Sequence, residues 1–307
     1  MWYACGVAIT FFYDEGTLAL PIQLGERVRL EPVPDWVKTK EALHLLSWTD
    51  RDAIQDAHLA FATEYDAQAL GSPDPDWKGE SPRGIQSVVD EKFALANLAL
   101  WIVRPSRLSC GPVLHFGRNG DPESLRTAAS LRRILVTEEE EDAIPSPDDF
   151  VKARRVFEVI LSLPRQGTLW TAVRMLMRAL TESMWETRFL LQWVVLESLF
   201  GSTNPQETTY RLSQRLSLFL GQQSEDCKDL FEKAKFGYAW RSKIVHGMRL
   251  SKLTPEQSAD LSRASELLLR RAFLRILDHA ETVATFDGPG REEYLDLLLF
   301  ARLREVG

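Results

Sequence analysis

The chain has 307 residues, 45% of them hydrophobic and 26% charged, which is enough apolar material for a buried core and for more than one domain. A formal charge of -7 excludes a protein that coats nucleic acid by bulk attraction, so any nucleic-acid site must be local. Cys5, Cys110 and Cys227 are odd in number and far apart, which argues against a disulfide framework or a metal knuckle and favours a reducing, cytoplasmic setting.

The opening "MWYACGVAIT" lacks the basic region that a secretory signal places before its apolar run. From there the first third alternates in the manner of strands. "ACGVAITFFY", "TLALPIQL" and "ERVRLEPVP" predict an antiparallel meander. Thr49 and Asp52 resemble a capping box that opens a helix through "AIQDAHLAFATEYDAQAL". The segment 71–84, "GSPDPDWKGESPRG", reads as a surface loop, and "LALWIVRPS" and "GPVLHFGR" read as two more strands. Residues 1–148 are thus expected to form an α+β domain.

Acidic "TEEEEDAIPSPDDF" (137–150) reads as a linker, and from 149 to 307 the apolar period is helical. The helical stretches are "DFVKARRVFEVILSL", "LWTAVRMLMRALTESMWETRFLLQWVVLESLF", "TTYRLSQRLSLFL", "CKDLFEKAKFGYAWRSKIVH", "TPEQSADLSRASELLLRRAFLRILDHAET" and "REEYLDLLLFARLRE". The most apolar of them, "FLLQWVVLESLF", carries Gln192 and Glu197 and falls short of the roughly 20 residues a bilayer span needs. No membrane insertion is expected.

The five histidines, His44, His58, His115, His246 and His279, show neither the H-E-x-x-H spacing nor a cysteine at zinc-like distance, so no metal site and no cofactor are expected. Phosphate-loop and nucleophile-elbow motifs are also missing. There remains an arginine a few residues before a histidine. Arginine is common enough for that spacing to arise by accident, as Arg51 and His58 illustrate at the start of a surface helix.

Arg241 and His246 differ in context: they close a long helix, after "FGYAW" and before Gly247. Five residues at about 100° each set the two side chains roughly 140° apart on an ideal helix, too far round to act together on one small group. Gly247 is a natural C-terminal breaker at which the last turn can unwind. Cleavage of RNA by its own 2′-hydroxyl wants a base, an acid and a cation at the phosphate. One histidine does not readily serve as both acid and base, whereas two copies of the segment in a homodimer supply two histidines and two arginines.

Three blocks, "LQWVVLESLFG", "TTYRLSQRLSLFLG" and "FGYAWRSKIVHG", taken in this order, resemble the Apea-like branch of the HEPN domains, over most of residues 150 to 285. That resemblance implies an all-helical bundle that dimerises so that two R-x(4 to 6)-H motifs face one cleft. It further implies a metal-independent endoribonuclease of toxin, CRISPR-associated or other antiviral systems, with residues 1–148 as its sensor or regulator. Arg241 and His246 occupy the two motif positions as catalytic residues. Ser242 departs from the commoner pattern, in which Asn, Asp or His follows the arginine. Products with a 2′,3′-cyclic phosphate and a 5′-hydroxyl are implied, from a host, phage or transfer RNA, under an antitoxin or a phage-derived trigger. The alternative is a non-catalytic HEPN module for binding RNA or a partner protein and for dimerisation.

Ser242, Lys243, Arg211 and Arg215 are the candidates for RNA binding, the two arginines one helical turn apart. Trp240 and Tyr238 beside Phe236 fit packing better than base stacking. Glu197, inside an apolar helix, is expected to pair with Arg241 or Arg215 in a structural role.

Overall fold

The computed structural model describes residues 2–9, 19–25, 27–39, 43, 46, 48–65, 85–106, 108–117, 124–130, 134, 145–202, 208–246 and 253–306. The loop read at 71–84, most of the acidic segment, His44 and Gly247 lie outside them. The fold is α+β, with two compact units, Met1–Leu161 and Ser162–Gly307.

In the first unit, strands β1 (Trp2–Ile9), β2 (Ile22–Gly25), β3 (Val28–Pro32), β4 (Leu59–Tyr65), β5 (Ser109–Gly117) and β6 (Ser124–Ser130) form one sheet in the order β2-β3-β4-β1-β5-β6. Every neighbouring pair is antiparallel. Helices α1 (Trp48–Gln55), α2 (Ile85–Val103) and α3 (Pro147–Ser162) complete the unit's regular structure among the described residues, with a single 3-10 turn at Asp35–Lys38.

The predicted meander is corrected by this order. Strand β1 pairs with β4 on one side and β5 on the other, setting Cys5 opposite Ala62 and Leu114, while β2 and β3 form a hairpin of their own. The helix predicted through residue 70 ends at Gln55, and Leu59–Tyr65 is a strand. Leu59, Ala60, Phe61 and Ala62 are all buried, because β4 lies inside the sheet and is covered on both faces. Phe61 meets Phe93 of α2 with ring centroids 6.5 Å apart, while Ala60 and Ala62 join a cluster with Val33, Ile54, Leu114 and Phe116. Burial on both sides erases the alternation that marks a half-exposed strand.

"LALWIV" is likewise helix rather than strand, the last turns of α2. Leu95, Leu98, Ala99, Leu100, Trp101 and Ile102 are buried, and a run so uniformly apolar has no period from which to tell helix and strand apart. Helix α3 shows the opposite case. Its buried Phe150, Ala153, Val156, Phe157 and Ile160 follow helical spacing, and it packs on the sheet's edge. The ring of Phe157 fills the space beside Gly25, where a Cβ would lie 2.4 Å from its Cδ1.

The second unit consists of helices among its described residues: α4 (Thr168–Leu180), α5 (Trp185–Phe200), α6 (Thr208–Leu220), α7 (Ser224–Val245), α8 (Pro255–Leu277), α9 (Ala280–Asp287) and α10 (Arg291–Val306). The long apolar stretch 169–200 is two helices, since the chain leaves α4 at Thr181 and re-enters helix at Trp185. Helix α5 is central, packed against α4, α7 and α8, and α7 packs in turn on α6 and α8. Phe189, Trp193, Phe200, Phe219, Phe273 and Phe286 fill the core. Side chains fix two of these helix starts. Thr254 and Gln257 form a reciprocal capping box at α8, and Asp287 accepts from the Leu169 N–H at 2.9 Å to cap α4. No described helix is long and apolar enough to cross a membrane.

Candidate functional site

Helices α5 and α7 approach closely because Gly237 presents no side chain to Trp193. A Cβ there would lie 2.3 Å from the indole Cζ2. One residue on, Tyr238 meets Trp193 edge to face at 5.7 Å and is buried, so its ring is not available to a nucleotide base. One turn of α5 beyond Trp193 comes Glu197. Its Oε1 accepts from the Tyr238 hydroxyl at 2.5 Å, and its Oε2 accepts from Arg241 Nη2 at 2.9 Å. Tyr238 and Arg241, three apart on α7, therefore share one carboxylate on α5.

Burial first, then the hydrogen bond to Glu197 and the Glu197 charge, pushes the Tyr238 hydroxyl up from 10.0 to about 12. It stays protonated at neutral pH, so it serves as a donor and not as a base. The Arg241 guanidinium lies 5.4 Å from the Tyr238 ring centroid. Its side chain keeps 25% exposure, and its Nε is buried without a hydrogen-bond partner. The pair holds the guanidinium in one orientation while leaving it donors for a further acceptor. Of the two arginines considered for Glu197, it is Arg241 that pairs with it.

His246 follows the last helical residue of α7, and its own backbone leaves the helical region, at φ -82° and ψ 11°. The helix does not unwind before it: its N–H donates to the Ser242 carbonyl at 3.1 Å. Its side chain is exposed, whereas Arg241 turns inward to α5. Within one chain the two residues thus share a helix end without sharing a partner. Ser242 lies between them and is half-buried. Lys243 points elsewhere again, its Nζ 4.0 Å from the centre of the Trp240 ring. Trp240 is partly buried and edge to face with exposed Phe236 at 6.5 Å.

Arg215 is a correction. It is 2% exposed, and its guanidinium donates to Asp296 at 3.0 Å, to the Gly201 carbonyl at 2.7 Å and to Glu292 at 3.4 Å. It closes the C-terminus of α5 and ties α6 to α10, so it is absent from any surface patch. Arg211, one turn earlier, is half-buried on the outer side of α6. The decoy pair separates too: Arg51 donates to the Leu46 carbonyl at 3.0 Å, and His58 is exposed. His115 is fully buried against Asp90 at 3.0 Å, and His279 is exposed. Among the described residues no group of three or more His, Cys, Asp or Glu side chains is placed to hold a metal ion.

Two features escaped the sequence reading. Gln192 is fully buried and donates to Glu266 at 3.1 Å, which also stands 3.7 Å from Arg188, so one polar cluster links α5 and α8 through the core. A cavity of about 560 Å³ opens between α7 and α8, with Trp193, Gly237, Trp240 and Lys243 among its walls. The repeat of Phe236, Trp240 and Lys243 at helical spacing is the signal that marks it. Comparison of the chain with protein-family models, with curated proteins and with solved structures gives no match in any of the three.

Proposed function

We propose that the chain is a metal-independent endoribonuclease of HEPN type, acting as a homodimer in antiviral defence or toxin-like RNA cleavage in the cytoplasm. The three-block resemblance supports this reading, and one observation carries it. Arg241 is held in place by Glu197 through Nη2 and keeps a quarter of its side chain exposed, on the helix whose end exposes His246.

Because the two side chains diverge within one chain, the working site is made of two copies of the α7 end. One His246 takes the proton of the RNA 2′-hydroxyl as that oxygen attacks phosphorus, and the other protonates the leaving 5′-oxygen. Arg241 donates to the phosphate oxygens as charge builds in the pentacoordinate state. Loss of the 5′-oxygen leaves a 2′,3′-cyclic phosphate and a 5′-hydroxyl.

The test is cleavage of RNA by the purified chain, with end-group analysis of the products. His246→Ala should lower the rate about 10²- to 10⁴-fold, and Arg241→Ala about 10²- to 10³-fold. Undiminished cleavage by folded His246→Ala protein would sink the mechanism. A second reading, a non-catalytic HEPN module that binds RNA or a partner protein, is favoured by the same Glu197 carboxylate, which offsets part of the Arg241 charge. Under it, the wild-type chain dimerises or binds without cutting, and growth on induced expression is indifferent to both substitutions.

A further inference from the structure

We propose that helix α10 pairs antiparallel with α10 of a second copy of the chain, through the side that it turns away from its own bundle. The inner side is docked: Leu295 is 1% exposed, Tyr294 meets Phe286 edge to face at 6.2 Å, and Arg215 reaches across from α6 to Asp296 at 3.0 Å. The outer side holds large apolar residues in the open, with Leu297 53% and Phe300 58% exposed. Single exposed apolar residues are ordinary on a protein surface, so it is the arrangement of these two that matters.

Glu293, Leu297, Phe300 and Arg304 follow one another on α10 at spacings of four, three and four residues. At about 100° per residue the four positions fall within about 60° of one another, while Leu295 lies roughly 160° round from Leu297. They form a single stripe opposite the docked side, with the spacing of a coiled-coil seam. Glu293, Leu297 and Phe300 are exposed, and the helical spacing sets Arg304 in line with them.

Along the stripe the order is acidic, apolar, apolar, basic, and this order selects both partner and direction. Two copies laid parallel set Glu293 against Glu293 and Arg304 against Arg304, like charge on like. Turned antiparallel about a two-fold axis midway between Leu297 and Phe300, the same stripes set Glu293 of one copy opposite Arg304 of the other and Leu297 opposite Phe300, each pair occurring twice. Such a stripe is complementary to itself, which is the requirement of an isologous contact. An unrelated partner would need a matching order of its own, whereas a second copy has it by construction. Four positions spanning about 16 Å of helix make a contact smaller than a standard interface, so the association is expected to be weak, on the order of micromolar. It uses other residues than the α7 end and does not rest on the chain cutting RNA.

Sedimentation velocity of the full-length chain across micromolar concentrations tests it, and reversible association of the wild-type chain is the expected result. Leu297→Glu combined with Phe300→Glu should weaken that association about tenfold or more, since it brings four carboxylates together at the two-fold axis. Both positions are exposed, so the bundle stays folded, which circular dichroism checks. Glu293→Arg alone should weaken association several-fold, and adding Arg304→Glu, which exchanges the two charges, should restore it. Where the α7 ends pair as well, the wild-type chain grows beyond dimers and the Leu297→Glu, Phe300→Glu chain returns to dimers; where they do not, wild-type dimers become monomers, so the two contacts are told apart. A wild-type chain that stays monomeric, or an association that survives Leu297→Glu with Phe300→Glu, overturns the proposal. So does an association indifferent to Glu293→Arg, or one that the charge exchange fails to restore.

Discussion

Two arginines of the helical unit show how the same side chain takes opposite roles. Arg215 is 2% exposed, with two carboxylates and the Gly201 carbonyl around its guanidinium. Arg241 keeps a quarter of its side-chain surface and meets one carboxylate, through Nη2. Saturation makes Arg215 a tie between helices, and incomplete saturation leaves Arg241 able to meet a phosphate. Stability and the proposed RNA cleavage should therefore respond to the two residues in opposite proportions.

The largest effect is expected at Arg215. Arg215→Ala removes the donors that close α5 and leaves Glu292 and Asp296 facing a cavity. Both acids are partly exposed, which moderates the cost to about 2–4 kcal/mol. A fall of several degrees in melting temperature reads it. A melting temperature within a degree of the wild-type value would erase the contrast between the two arginines.

The next effect concerns the other side of Glu197. The Tyr238 hydroxyl titrates near 12 in the fold against 10.0 for the unperturbed group, with burial the leading cause. An acid whose folded value is raised adds stability that is complete below the unfolded value and is lost as pH climbs through the folded one. Stability should thus decline between pH 10 and about 12 as the unfolded chain ionises first. Tyr238→Phe removes this titration and flattens the decline, while losing about 1 kcal/mol at neutral pH with the Glu197 bond. Denaturant midpoints measured against pH provide the check. A decline of equal depth in both proteins would detach Tyr238 from it.

Much of the helical unit was legible, because amphipathic surface helices keep their period: α6 spans Thr208–Leu220, the block "TTYRLSQRLSLFL" itself. Strand β4 and the end of α2 were not, since burial on all sides removes the pattern on which the reading depends. At the site, Glu197 stood out as a carboxylate in an apolar run, but only packing decides which arginine reaches it. The nearness of α5 to α7 rests on a single absent Cβ at Gly237. The cavity depends on where α8 lies beside α7, a distance that no local pattern carries. Arg215 did leave a trace. It sits three residues after Leu212 and four before Phe219, along the buried stripe of α6.

That trace explains the smallest predicted effect. Arg211, Gln214 and Leu218 are the half-buried residues between Arg211 and Leu220, and they mark the outer stripe of α6. Four residues at about 100° each carry the chain from Arg211 to Arg215 with a net turn of only about 40°. So slight a rotation separates the two because α10 and the end of α5 cover Arg215 on one side. Arg211→Ala should then change the unfolding free energy by no more than about 0.5 kcal/mol. If RNA runs along this face, the same substitution weakens binding at low salt and reduces the slope of log affinity against log salt by about one. An unchanged slope would confine the positive surface to the α7 end, where Arg241 and Lys243 stand.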